Sequence, residues 1–279
     1  MIGLQPEWLR NVPTDLRLPG RALFTGCGTS FHAAQTGGDA VQALELVLRP
    51  ERDTDVLVAV SHEGDTALTV EAVRAWPGEK WLVTGNPDGA LVALSHKVIV
   101  ATPGIETSWC HTASYTCAVA ALAALRGEDV SWLPDAVAEV LAGERFPVSE
   151  HERWLVAGAG RDWPTAQEAV LKLREGAWVA AEAYETEQLL HGHLAAVDES
   201  VRAFVLEGEG RAADRAGSAV AALRELGCDA TLVPTRDPVV DIVRFQLLTV
   251  DIADARGADA DLIRRDHERW KRAAAAAAP

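Results

Sequence analysis

Two stretches in different halves of the chain, ALFTGCGTS (Ala22–Ser30) and WLVAGAGRD (Trp154–Asp162), follow one plan. Each runs from a short apolar segment that suits a buried strand, through a glycine turn, into a helix-forming stretch. Further apolar segments keep the rhythm: DVLVAV (Asp55–Val60), KWLVTG (Lys80–Gly85) and KVIVAT (Lys97–Thr102) after the first, VRAFVLEG (Val201–Gly208) and DATLVP (Asp229–Pro234) after the second. Helical patterns separate them, among them the fully apolar AVAALAAL. Strands alternating with helices build a parallel sheet covered on both faces. A chain that does this twice reads as an internal duplication, an α/β protein of two tandem doubly wound, three-layer αβα units. Residues 126–149 are more polar and carry one helix, LPDAVAEVLAG, so the expected domains are 1–148 and 149–279. The tail belongs to the second, and its closing alanine run is expected to extend a helix or fray.

Strand, glycine turn and helix N-terminus together make an anion cradle at the carboxyl end of such a sheet. The glycines here do not follow the spaced dinucleotide fingerprint, so no nucleotide cofactor is expected. Hydroxyl residues fall at such ends: Thr29 and Ser30, Ser61 and Thr66, Ser108 and Thr112. A formal net charge of −15 argues against a nucleic-acid partner, because phosphate backbones reward clustered lysine and arginine. The four cysteines show no ligand-like spacing, and His111 and His151 have no partners at ligand spacing, so no metal is expected. No apolar run is long enough to span a bilayer, and MIGLQPEWLRNVP lacks the basic-then-apolar order of a signal peptide. A cytoplasmic protein without a membrane partner is the expectation.

The chemistry concentrates in Glu168–Gly192, EAVLKLREGAWVAAEAYETEQLLHG. Lys172 and Glu175 are three residues apart and share a helix face, and Glu182, Tyr184, Glu187 and His191 follow. An ammonium, a carboxylate and an imidazole suit proton movement beside a carbonyl. Read blandly, the same residues are a solvated helix face and an ordinary loop histidine.

CGTSFHAA, VSHEGDT, NPDGALVALSHKVIV and the Glu106–Tyr115 loop occur in the order seen in sugar isomerase (SIS) domains. The Glu168–Gly192 stretch resembles the isomerase half of glucosamine-6-phosphate synthase, which reads LEGALKLKE, then AEAY and a KHG turn. The resemblance implies two tandem SIS units of flavodoxin-like topology, forming a homodimer with a shared active site. It implies that Glu175 moves the proton between C1 and C2 of the sugar, with Lys172 assisting. It implies that His191 opens the ring and reaches into the neighbouring subunit's site. Thr29, Ser30, Ser61, His62 and Thr66 match the positions that grip the sugar and its phosphate. Lys271 is the nearest counterpart of the family's C-terminal active-site lysine, at a different spacing.

The departures bear on substrate. Glu63 stands where the family's phosphate loop has serine, and a carboxylate close to a phosphate in a poorly solvated pocket repels it. Glu63 either turns outward, or receives an amino or hydroxyl group of a ligand, or marks a chain that senses rather than converts. Trp109 replaces a small residue lining the sugar site. No glutaminase-like stretch precedes the first unit, and Ile2 stands where a cysteine nucleophile would, so glutamine-independent chemistry is expected. The expected activity is aldose–ketose isomerisation or deamination of an amino-sugar phosphate through an enediol, with no cofactor. The alternatives are isomerisation or deglycation of another aminated sugar, and non-catalytic regulation by a bound sugar phosphate.

Overall fold

The computed structural model describes residues 1–50 and 53–277. Its contacts divide the chain into two compact units, one from Met1 to Ala142 joined by the segment from Arg265 onward, the other Gly143–Arg264. The division thus falls a few residues before the expected 148/149 boundary, and the tail groups with the first unit.

In the first unit the chain runs α1 (Gln5–Leu9), β1 (Ala22–Gly26), α2 (Thr29–Gly37), β2 (Ala40–Gln42), α3 (Ala43–Leu48), β3 (Val56–Val60) and α4 (Ala67–Ala75). It continues through β4 (Glu79–Thr84), β5 (Lys97–Val100), α5 (Ala113–Leu125) and α6 (Leu133–Ala142). The sheet is parallel throughout, in the order β2-β1-β3-β4-β5. This is the flavodoxin-like order, whose direction reverses between β1 and β3 and opens a crevice beyond their carboxyl ends. Every residue of β3 is buried, as its unbroken apolar run requires. Helix α5 is apolar on all sides and buried along its whole length, packed against α2 and α1. Full burial of a side chain such as Leu122 contributes about 1.5–3 kcal/mol, so this helix anchors the unit.

The second unit contains β6 (Arg153–Gly158), α7 (Trp163–Gly176), β7 (Ala180–Glu185), α8 (Thr186–Leu190), β8 (Val201–Leu206), α9 (Arg211–Glu225), β9 (Asp229–Val233) and α10 (Pro238–Arg256). Its sheet is again parallel, ordered β7-β6-β8-β9. The first-unit tail carries α11 (Glu268–Ala276), which takes in much of the alanine run; Ala278 lies outside the described residues.

The duplication is visible at the turn after each first strand. A Cβ at Gly26 would lie 2.8 Å from the backbone of Ser30, and one at Gly158 would lie 2.7 Å from the carbonyl oxygen of Asp162. Two residues on, Gly28 and Gly160 adopt φ of 55° and 56°. Ser30 and Asp162 therefore hold equivalent places in the two units.

Two strands depart from the expected pattern. The stretch holding β2 reads as helix, but its three residues pair with β1 as a short edge. Strand β7 lies in the polar Glu168–Gly192 stretch, at the open edge of its sheet, where charged residues guard unpaired backbone groups. Helix α7 ends at Gly176; the chain turns through Trp178 at φ 57°, with the Arg264 guanidinium 4.3 Å above the indole.

Candidate active site

Helix α7 brings three ionisable side chains of the second unit together. Lys172 Nζ donates to Glu175 Oε2 at 2.7 Å and lies 3.3 Å from Glu168 Oε1. The spacings i+3 and i−4 put both carboxylates beside the lysine on one face. Lys172 and Glu168 are sealed from solvent, while Glu175 is 26% exposed. One ammonium thus serves two carboxylates, only one of which is open to exchange a proton with something outside. Glu168 opens the chemistry-rich stretch, yet sequence reasoning gave it no role; its place one turn before Lys172 is the signal.

His191 lies in the same unit but on its surface. It ends α8, and its Nε2 is 3.0 Å from Glu187 Oε1, with 74% of the side chain exposed. Arg215 grips Glu187 through Nε at 2.7 Å and Nη2 at 3.1 Å, and this holds the Glu187 carboxyl below its usual range. His191 is hydrogen-bonded to Glu187 rather than to Lys172 or Glu175. Glu182 accepts from the Tyr184 hydroxyl on β7, and the His193 ring lies 4.5 Å from that of Tyr184.

In the first unit, Thr29, Ser30, His62, His111, Ser114 and Thr102 are among the residues lining a small pocket. It lies where the topology calls for a ligand, at the carboxyl ends of the strands. None of the described residues lining it is a lysine or an arginine. The Ser61–Thr66 loop beside it is braced from the β4–β5 connection. Thr84 Oγ1 donates to the His62 carbonyl, Asn86 Nδ2 to the Glu63 carbonyl, and the Leu91 amide to the Gly64 carbonyl. Ser61 is buried, and its Oγ accepts the Gly64 amide at 3.2 Å. Glu63 is exposed, and Thr66 caps α4 without a side-chain hydrogen bond to the helix.

Beneath the pocket lies an internal anion that sequence reasoning passed over. The Glu106 carboxylate, 4% exposed, accepts from the amides of Thr112, Ala113 and Ser114 and from the Thr112 and Ser114 hydroxyls, at 2.6–3.1 Å. It fills the N-terminus of α5, where four amides have no helical partner. Burial pushes its pKa up, but the hydrogen bonds from Ser114 and Thr112 outweigh this and hold it below its ordinary value. His62 fixes the same loop: its Nε2 accepts the Glu106 amide at 2.9 Å. Burial, with His111 beside it, pushes the His62 pKa down to about 4, so the ring is neutral. His62 is accordingly a strut of the pocket wall, with only its Nδ1–H left to donate.

Trp109 is 41% exposed, and the Arg265 guanidinium stacks 3.6 Å above its ring. Lys271 on α11 is exposed and paired with Glu268 at 2.8 Å. Among the described residues no group of three or more His, Cys, Asp and Glu could hold a metal ion, and no helix is long and apolar enough to cross a membrane.

The two parallel sheets with their covering helices match the fold of SIS domains. No family model matches the chain. It is 25% identical to the glutamine–fructose-6-phosphate aminotransferase (isomerizing) of Pyrobaculum aerophilum over 317 aligned positions, covering 93% of this chain and 52% of that protein. The chain thus spans about half the length of the curated relatives it matches. The C-terminal domain of glucosamine-fructose-6-phosphate aminotransferase from Francisella tularensis superposes with a TM-score of 0.78 at 21% identity, covering 93% of this chain and 96% of that one. Glucosamine-6-phosphate deaminase from Thermotoga maritima superposes with a TM-score of 0.76 at 18% identity, covering 93% of each chain. The resemblance to the isomerase half of the synthase, drawn from motifs, holds across nearly the whole chain.

Proposed function

We propose that this chain is a sugar-phosphate isomerase whose substrate is an amino-sugar phosphate, and that it interconverts aldose and ketose through an enolamine, the nitrogen counterpart of an enediol, the C2 imine that follows exchanging its nitrogen with water to release or take up ammonia. The observation that carries this reading is the Lys172 ion cluster: one buried ammonium shared by sealed Glu168 and half-open Glu175. A solvated helix face has no reason to bury such a group, since desolvating a lysine and a glutamate costs several kcal/mol per ion. Glu175 is the base that takes the C2 proton and returns it at C1. The Lys172 ammonium stabilises the negative charge that grows on the C1 oxygen as the C2 proton leaves. His191 opens the sugar ring. The hydroxyl-lined pocket of the first unit, with Thr29 and Ser30 on its wall, is suited to a polyol phosphate.

Glu63 and the absence of lysine and arginine from the described residues lining that pocket favour a second reading, in which the substrate is an amino sugar without phosphate. Proton NMR of the protein with glucosamine 6-phosphate in D2O tests both. Loss of the C2 proton signal with new fructose 6-phosphate signals is the expected result. Exchange of that proton without product points to another substrate for the same chemistry. If no exchange occurs with glucosamine 6-phosphate or with glucosamine, the isomerase reading falls.

A further inference from the structure

The first unit's pocket has to find positive charge somewhere if it holds a phosphate, and several of its sources are taken. The Gly64 amide of the Ser61–Thr66 loop is spent on Ser61 Oγ. The amides at the start of α5 are spent on the Glu106 carboxylate. No lysine or arginine is among the described residues lining the pocket. His62 is committed as well, because its Nε2 accepts the Glu106 amide; a proton there would set N–H against N–H.

His111 is different. It lines the same pocket half-buried, its ring edge-on to His62 with centroids 5.2 Å apart. Its ring nitrogens make no hydrogen bond to the described residues. It is joined to α5 through Thr112, whose amide and hydroxyl are fixed on Glu106, so the backbone beneath it is rigid. An imidazole beside a dianion is stabilised in its charged form, whereas a neutral sugar hydroxyl needs no such charge.

We propose that His111 is the residue by which this pocket reads a phosphate, supplying the cationic hydrogen bond that distinguishes a phosphorylated sugar from its unphosphorylated counterpart. This rests on the proposed sugar-phosphate reading and goes beyond it by naming the group that selects for phosphate. His62, its Nε2 fixed on the Glu106 amide, acts as a positioning residue.

The test is calorimetric titration of the full chain with glucosamine 6-phosphate and, separately, glucosamine. His111→Gln is expected to weaken the phosphorylated ligand about tenfold or more, the scale of one charge-assisted hydrogen bond, and to leave glucosamine within about twofold. His111→Lys, a permanent cation, is expected to restore most of the lost affinity. Equal losses for both ligands, or no rescue by lysine, overturn the proposal. Glucosamine 6-phosphate binding that is unchanged in His111→Gln overturns this inference alone. A wild-type protein that binds no sugar phosphate removes the functional reading beneath it. In case the variants fail to fold, the wild-type chain gives a second readout, carbethoxylation of His111 followed by mass spectrometry. Protection by glucosamine 6-phosphate but not by glucosamine is expected, and equal reactivity with either counts against the proposal.

Discussion

Lys172 Nζ stands between two glutamates of its own helix, 2.7 Å from Glu175 Oε2 and 3.3 Å from Glu168 Oε1. Removing the ammonium leaves Glu168 buried with its counter-charge gone. Lys172→Met is therefore expected to destabilise the fold by about 3–5 kcal/mol, the usual cost of breaking a buried pair from one side. The double variant Lys172→Met, Glu168→Gln removes the stranded charge and is expected to recover a good part of that loss. Urea unfolding of the three proteins checks this; a double variant no more stable than the single one would argue that Glu168 is not the partner that matters.

Glu106 is a second built-in anion, and it stabilises in the opposite sense to most buried carboxylates. Its folded pKa lies below the ordinary 4.5, so its contribution is fully present above about pH 4.5 and is lost as pH falls through the folded value. Glu106→Ala strands three amides and two hydroxyls at the start of α5 and is expected to cost about 3 kcal/mol or more. Glu106→Gln keeps the acceptor oxygen and is expected to cost less, with a flatter stability profile between pH 5 and pH 3. Melting temperatures across that window provide the measurement, and a wild-type profile as flat as the glutamine variant's would contradict it.

Much of this architecture was legible from the chain itself, and the exceptions have physical causes. The apolar runs at Val56–Val60 and Val201–Leu206 announce buried strands, because both faces of a covered parallel sheet exclude water. Strand β7 gives no such signal, since an edge strand with one open face is free to be as polar as EAYE. Lys172 and Glu175 were readable as a pair from spacing alone. Glu106 was not: a glutamate in a loop looks solvated until the hydroxyls at Thr112 and Ser114 fold over it. The spacing Glu-x5-Thr-x-Ser ahead of an apolar helix was the one hint. A serine in a ligand loop reads as a contact, and for Ser61 the fold adds a task the sequence does not show: its Oγ accepts the Gly64 amide and braces the loop from within.

Asp241 on α10 gives a pH dependence of the contrary sign. It is 4% exposed, and burial pushes its pKa up to about 7, with Asp162 and Asp237 adding repulsion against the hydrogen bonds it accepts from the Arg236 amide. The folded state then binds a proton that the unfolded state gives up near pH 3.8, so stability falls as pH rises from about 4 to about 7 and levels off above. The full effect is on the order of 4 kcal/mol. Asp241→Asn is expected to abolish the slope and to be more stable than wild type at pH 8. Denaturation at pH 5 and pH 8 decides it: equal wild-type stability at the two values means Asp241 is ionised in the fold.

His191 poses the question of where its imidazole works. Exposed and tied to Glu187, which Arg215 holds in turn, it is presented outward on a fixed arm rather than toward Lys172 and Glu175 of its own unit. An imidazole that opens a sugar ring must reach the substrate, and an outward arm reaches one most directly in a second copy of the chain. In a two-fold dimer with shared sites, His191→Ala and Glu175→Gln are each inactive alone. A random one-to-one mixture pairs an intact Glu175 with an intact His191 in one site of every heterodimer. Activity of about a quarter of wild type is then expected after subunit exchange, because half the dimers are mixed and each holds one complete site. The assay is ammonia release from glucosamine 6-phosphate, with heterodimers verified by differential tags. Mixed dimers that stay inactive would return His191 to the site of its own chain, or to no catalytic part at all.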